Sequence, residues 1–199
     1  MSRIMIDLCS GLGGASEAFL QNGWEVHRFD NNKIFTDPQS ENYVPHTTYC
    51  DVTKFIPTMD CDFLFASPPC YEFSLAYNAP RPRAERAGIP FEPDMTILEK
   101  IIEYRDRIQP RYWAIENVIG AGKYFSEYLG PCRLKLGAAL IWGNFPLVGF
   151  HVEDATWKKA NDDSKARYSP IRSNLRAKLP YWMSDQLRKS VSGLKLEDF

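Results

Sequence analysis

Residues 64–74 read LFASPPCYEFS: apolar residues, two prolines, then a cysteine and an aromatic. Pro68 and Pro69 each fix a backbone angle and surrender an amide donor, so the chain leaves a strand on a stiff platform that exposes the carbonyls of Ala66 and Ser67. A side chain presented just beyond has little conformational entropy left to lose. Cys70 stands there, and a thiolate is the most nucleophilic side-chain anion available near neutral pH. A second reactive group ends the run AIENV, where Glu116 sits among apolar neighbours with Asn117 beside it. A carboxyl in a partly apolar cleft can stay protonated and donate to a ring nitrogen, while an amide fixes the local backbone. The plainer reading of Glu116 is a surface acid at a strand end.

Near the N-terminus, RIMIDLCS runs into the glycine cluster GLGG. Such glycines permit a tight turn and let a ligand approach the backbone at a helix N-terminus, although they also occur for packing alone. Asp30 ends WEVHRFDNN, the next strand-like run, and suits a carboxylate that accepts two ribose hydroxyls. Asp51, in YCDVTKF, could receive an adenine amino group or simply cap a helix. Their order along one short stretch favours the ligand reading.

The elements needed to hold these groups follow from the pattern. RIMIDLCS, WEVHRFD, CDFLFASPP and RYWAIENV read as strands; ASEAFLQNG, stopped by Gly23, and MTILEKIIEYRDRIQP, closed by Pro110, read as helices. Their alternation predicts an α/β fold with a doubly wound, mostly parallel sheet, in which ligands sit beyond the carboxyl ends of the strands. LKLGAALIWGNFPLVGF suggests one or two further strands, and PYWMSDQLRKSV a last helix with Pro180 in its first turn. Residues 76–94, with their prolines and glycine, are expected to form a long, mobile active-site loop rather than an element.

The 199 residues amount to a single domain, 1–199, and 44% hydrophobic content suffices for its core. With 24 basic and 25 acidic residues the net charge is −1, so no global positive field announces a polyanionic partner. No stretch reaches the roughly 18 apolar residues of a membrane span, and the N-terminus lacks a secretory signal, so a soluble, cytoplasmic protein without membrane contact is expected. The five cysteines, Cys9, Cys50, Cys61, Cys70 and Cys132, form no CxxC pair, which argues against a disulfide framework or a structural metal. All but Cys70 read as small buried hydrophobes.

Taken together and in order, DLCSGLGGASEAF, FASPPCYEFS and AIENV resemble motifs I, IV and VI of the cytosine carbon-5 DNA methyltransferases, over residues 4 to 120. The resemblance implies a Rossmann-like S-adenosylmethionine-dependent methyltransferase fold and S-adenosyl-L-methionine as cofactor. It implies a cofactor site drawn from Asp7, Ser10, Gly11, Leu12, Gly13, Gly14, Asp30, Asn31, Asp51, Val52, Pro69 and Leu98. Cys70 would attack carbon 6 of a cytosine, Glu116 and Asn117 would complete the catalytic group, and carbon 5 would take the methyl group. The target base would first be rotated out of the stack. Ser67 would contact it, and Arg81, Arg83 and Arg86 could meet phosphates or be no more than a solvated charged loop.

This sequence also departs from the family pattern. The nearest match to motif VIII, CRLKLGAALIW, offers Arg133 as a further catalytic group and Lys135 for the substrate. The motif X turn is replaced by the run from Arg176 to Pro180, which suits the position better than the pattern. About thirty residues separate the two, too few for a target-recognition domain. Recognition is therefore expected to be short, relaxed, supplied by a partner or second copy, or aimed at a smaller substrate. The segment 150–190, with nine Lys or Arg and interleaved Trp157, Tyr168, Tyr181 and Trp182, could take over part of that role, or its aromatics could pack on the sheet. DNA is the expected partner, with RNA as the competitor. An exocyclic-amine methyltransferase also fits SPPC up to its last residue but needs no ENV, and a silent cofactor-binding subunit is the third reading.

Overall fold

The run IMIDL forms strand β1 (Ile4–Leu8) at the middle of the molecule, and its alternate side chains divide between two cores. Met5 enters one core, Ile6 and Leu8 the other. The structure is a computed structural model and describes residues 2–54, 56–147, 169 and 171–193. Around β1 lie β2 (Glu25–Asp30), β3 (Thr47–Tyr49), β4 (Phe63–Ala66), β5 (Tyr112–Val118), β6 (Leu134–Leu136) and β7 (Ala139–Gly143). They make a seven-stranded sheet in the order β3-β2-β1-β4-β5-β7-β6. The first five of that order are parallel, and only β7 runs against its neighbours. After β3 the chain crosses back over the sheet to enter beside β1 as β4. The loops following β1 and β4 therefore diverge, and a crevice opens between them.

Helices cover both faces, as the doubly wound expectation requires. On one face α1 (Glu17–Gln21) and α7 (Tyr181–Val191) pack Phe19, Met183, Leu187 and Val191 against Met5, Phe63, Phe65 and Ile141. Ser184 fastens the two helices, its hydroxyl donating to the Ala15 carbonyl at 2.6 Å and accepting from the Ala18 amide at 3.0 Å. On the other face α4 (Thr96–Ile108) and α5 (Gly122–Leu129) bring Leu98, Ile101 and Phe125 onto Ile6, Leu64, Ile115 and Trp142. Pro180, expected in the first turn of α7, is its N-cap residue. The short helices α2 (Lys33–Thr36) and α6 (Arg172–Ala177) meet through Phe35, Ile34, Ile171 and Leu175 beside Leu12 of the glycine turn. No described helix is long and apolar enough to cross a membrane.

Two sequence expectations change. Residues 76–94 are not loop throughout, because α3 (Pro80–Ala87) forms within them. Pro80 and Pro82 fall in its first turn, where amides have no intrahelical acceptor, and Gly88, at φ 67°, ends it in the left-handed region. Prolines read as breakers are here helix starters. The apolar run after Cys132 resolves into the β6–β7 hairpin, turned at Gly137 with φ 55°. Within 150–190, Trp157 and Tyr168 lie outside the described residues. Trp182 packs partly buried against the first core, whereas Tyr181 is exposed.

Candidate active site

A cavity of about 580 Å³ opens where the crevice predicts, at the carboxyl ends of β1, β2, β4 and β5. That volume suits a nucleoside-sized ligand with a second small group beside it. After β1 the chain turns sharply through Cys9 (φ 55°), Gly11 (φ 49°) and Gly13 (φ 68°). Gly11 donates its amide to Asp30 Oδ2 at 2.8 Å, and Asn32 donates to Oδ1 at the same distance. The Asp30 carboxylate is thus held by the backbone on both sides, and each oxygen retains lone-pair capacity toward the cavity. Burial is the main influence on its pKa and raises it; the two amides work in the opposite direction. Ser10 Oγ is buried and has no hydrogen-bond partner among the described residues. Asp51 spends Oδ1 on the amide and hydroxyl of Thr53, at 3.1 and 2.7 Å, and Oδ2 on Lys54 at 3.1 Å. The Thr53 hydroxyl leads in holding its pKa below the usual carboxylate range.

Beneath the turn lies a buried chain of polar groups that sequence reading missed. Arg28, in the middle of β2 and 2% exposed, donates from Nε to Ser16 Oγ at 2.8 Å, and Ser16 donates to Asp7 Oδ2 at 2.6 Å. Arg28 also donates to the carbonyls of Pro45 (3.0 Å) and Gly13 (3.2 Å) and meets Glu17 at 3.4 Å. β2 reads EVHRFD, so Arg28 stands among Glu25, His27 and Asp30 and no local signal set it apart. A Cβ on Gly13 would come within 2.6 Å of the Arg28 guanidinium, so Gly13 makes room for the arginine. It does not itself line the cavity, unlike Gly11, Leu12 and Gly14 on either side of it. Gly14 does line it and also lets α1 approach the backbone of Leu179, whose carbonyl would lie 2.5 Å from an added Cβ.

Burial pushes Asp7 from its ordinary 3.8 up to about 6, with the Ser16 hydroxyl and Arg28 opposing the shift. The folded chain therefore holds this proton more tightly than the unfolded one. The stability that follows is fully present below pH 3.8 and is lost as pH rises through about 6. Thermal unfolding should show it: between pH 4 and 7, the melting temperature of Asp7→Asn should fall less than that of the wild type.

From β4 the chain gives way to Ser67, Pro68, Pro69 and Cys70, all of which line the same cavity. The Asn117 amide donates to the Pro68 carbonyl at 2.9 Å, and its own oxygen accepts from the Val118 amide at 2.9 Å. Asn117 is buried, and its amide is spent on the Pro68 carbonyl, not on the cavity wall. Ser67 donates from Oγ to Glu116 Oε2 at 3.2 Å, and Glu116, Ser67 and the half-buried Cys70 share the cavity wall. The loop after Cys70 is fixed by the Phe73 amide donating to the Cys70 carbonyl at 3.1 Å. It is also fixed by Gly120, where an added Cβ would overlap the Phe73 carbonyl oxygen at 1.9 Å.

The structure brings most of the expected residues to this one cavity. Asp7, Ser10, Gly11, Leu12, Gly14, Asp30, Asn31, Asp51, Val52, Ser67, Pro69, Cys70 and Glu116 line it, as do Arg176, Ala177, Lys178 and Leu179 from the α6–α7 junction. Ser173 and Asn174 of α6, and Tyr71, Ser74 and Ala76 after the cysteine, also line it and were not anticipated. Leu98 is buried in the core, and its neighbour Ile97 faces the cavity instead. Arg133 and Lys135 lie outside it. They flank and occupy β6, which β7 separates from β5, and Arg133 donates from Nε to the Phe145 carbonyl at 2.6 Å. The strand that carries Lys135 is an edge strand, two positions along the sheet from the strand of Glu116, so the structure does not bring either residue to the cavity where they were expected. Arg81 and Arg83 of α3 are likewise outside the cavity, Arg81 being engaged by Glu85 at 2.9 Å and by the Gly120 carbonyl at 3.4 Å.

The family described as C-5 cytosine-specific DNA methylase matches residues 4–124. Among curated proteins nothing matches. Three solved structures are similar to part of this chain. One is a DNA modification methyltransferase encoded within an E. coli prophage, 20% identical over 64% of this chain and 35% of that one, with a TM-score of 0.41. Another is Thermoplasma acidophilum 1320, 16% identical over 71% and 78% of the two chains, TM-score 0.44. The third is the Pyrococcus abyssi tRNA (uracil-54, C5)-methyltransferase in complex with S-adenosyl-L-homocysteine, 14% identical over 72% and 34%, TM-score 0.42. The chain spans about a third of the length of the first and third.

Proposed function

The chain belongs to the C-5 cytosine-specific DNA methylase family, and on that premise we propose that it methylates carbon 5 of cytosine in DNA through a transient bond from Cys70. The fold is the Rossmann-like form of S-adenosylmethionine-dependent methyltransferases, and S-adenosyl-L-methionine is the cofactor of the family. Two features of this chain fit that cofactor. Ser10 offers a buried hydroxyl with no described partner, and Asp30 offers a carboxylate oriented by two backbone amides at the cavity wall. Gly11, Leu12, Asn31 and Val52 complete that part of the cavity wall, and Asp51 lies beside them.

The observation that carries the proposal is that Cys70 and Glu116 share one cavity with this cradle. Bound there, S-adenosylmethionine supplies an electrophilic methyl group. The Cys70 thiolate adds to carbon 6 of the cytosine, and the ring electrons move toward carbon 5. Glu116 hydrogen-bonds ring nitrogen 3 and the exocyclic amine, supporting the charge that the addition places on the ring. Once carbon 5 carries the methyl group, its proton passes to solvent water in the open cleft. The freed pair restores the ring double bond, and the carbon–sulfur bond breaks to return the thiolate. Ser67, donating to Glu116, and Asn117, holding the Pro68 carbonyl, keep acid and nucleophile in register.

Incubation with labelled S-adenosylmethionine against duplex DNA, single-stranded DNA and tRNA, followed by mass analysis of the modified nucleoside, tests the proposal. 5-Methylcytosine in DNA is expected, and DNA containing 5-fluorocytosine should trap the chain covalently. N4-methylcytosine would overturn the mechanism. Asp30→Ala should weaken S-adenosylmethionine binding by about 1.5–3 kcal/mol through lost charge-assisted hydrogen bonds. Titration calorimetry reads this directly, and unchanged affinity would mean that the ribose is held elsewhere.

A further inference from the structure

Helix α3 fully buries none of its residues and carries three arginines against one glutamate, so core packing does little to account for it. A helix of this length is marginal in water without such packing. Its place in the molecule suggests what it is for. Tyr71, Ser74 and Ala76 line the cavity on the way from Cys70 to α3, and Tyr77 follows directly. Tyr77 is 72% exposed, the most exposed large hydrophobic side chain among the described residues, and Tyr71 is 64% exposed. The Arg86 guanidinium, from the last turn of α3, lies 3.8 Å from the centre of the Tyr77 ring. Arg83 is exposed on the same helix. The rim thus presents a flat aromatic surface backed by a cation, with a further exposed arginine on the same helix, in the segment that follows the nucleophile.

An unstacked nucleobase with its phosphate matches that combination, because any base offers a π-face while the charges follow the backbone. In an intact duplex the base faces are already stacked on each other and only edges and phosphates are offered. We propose that Tyr77 and Arg86 form a stacking platform for single-stranded DNA, with Tyr77 against an unpaired base beside the target cytosine and Arg86 and Arg83 at its phosphates. This rests on the proposed cytosine methylation and specifies its substrate. Arg81, held by Glu85 and the Gly120 carbonyl, anchors the helix to the chain end of β5.

The test measures binding without turnover, in a Cys70→Ser chain with S-adenosylhomocysteine present. The probe is a short single-stranded oligodeoxynucleotide with one cytosine and a neighbouring 2-aminopurine, followed by anisotropy and by quenching of the 2-aminopurine. Tyr77→Ala should weaken binding by about tenfold and abolish the quenching, Tyr77→Leu should do the same, and Tyr77→Phe should stay within about twofold. Arg86→Met should lower the slope of log affinity against log salt by about one. The single strand should bind more tightly than the duplex of the same sequence. Tyr77→Ala within about twofold of the parent, Tyr77→Leu binding as well as Tyr77→Phe, tighter duplex binding, or no binding of either form would each overturn the platform. If no cytosine is methylated yet the platform signature persists, the activity is wrong and the platform stands. If DNA methylation is intact while Tyr77→Ala binds unchanged, the reverse holds.

Discussion

Replacing Cys70 by serine is expected to reduce methyl transfer by at least about 10³-fold while leaving S-adenosylmethionine affinity within a few-fold. The thiol is half-buried at the cavity wall and belongs to neither core, so a smaller oxygen in its place leaves the fold intact. What changes is chemistry. A serine hydroxyl has almost no anion near neutral pH, and no histidine lines the described cavity to generate one. The cofactor cradle of Ser10, Gly11 and Asp30 is built from the loops after β1 and β2, and the amide hydrogen bonds that hold Asp30 do not involve this side chain. Single-turnover assays with labelled cofactor, alongside calorimetry, separate the two effects. Turnover retained in the serine variant would point to methylation of the exocyclic amine, where no covalent adduct is needed.

Replacing Arg28 by methionine should lower stability by about 3–5 kcal/mol, as expected when one partner of a buried charged network is removed. For a domain of this size that is a fall in melting temperature of roughly 6–20 °C, readable by calorimetry or circular dichroism. The arginine's donors currently satisfy Ser16 Oγ and the carbonyls of Gly13 and Pro45, all near or under the glycine turn. Methionine fills much of the volume but takes the guanidinium away from Ser16 Oγ and the Pro45 carbonyl, while the Gly13 carbonyl keeps only the Ser16 amide and hydroxyl, each at 3.3 Å. Arg28→Lys should recover only part of the loss, since a single ammonium cannot reproduce the fork that reaches several acceptors at once. Because Gly13 is fitted against this guanidinium, the cradle should loosen as well, and cofactor affinity should fall with stability. An unchanged melting temperature would show that the network is not holding the turn.

What the sequence determined by itself is local. Two prolines before Cys70 fix where the chain leaves β4, the glycines fix a turn with positive φ, and short apolar runs bounded by turn residues fix which segments are strands. Glu116 at the end of β5 was legible for the same reason: the strand's own pattern says where it stops. Once strands alternate with helices, the crevice beyond their carboxyl ends follows, and Asp30, Cys70 and Glu116 must meet near it. Tertiary structure alone decided which neighbour faces that crevice. A helical residue turns by about 100° relative to the one before it, so the seating of α4 on the sheet chose Ile97 over Leu98 for the cavity. The antiparallel return of β7 beside β5 carried Arg133 and Lys135 to the outer strand, a pairing no local signal specifies. Arg28 reads as an ordinary charged residue until β2 lies against β1 and α1 closes above it, and only then does Gly13 acquire its reason. Backbone sterics act within a few residues and can be read from them, whereas the direction a side chain faces is set by surfaces that meet only when distant segments pack.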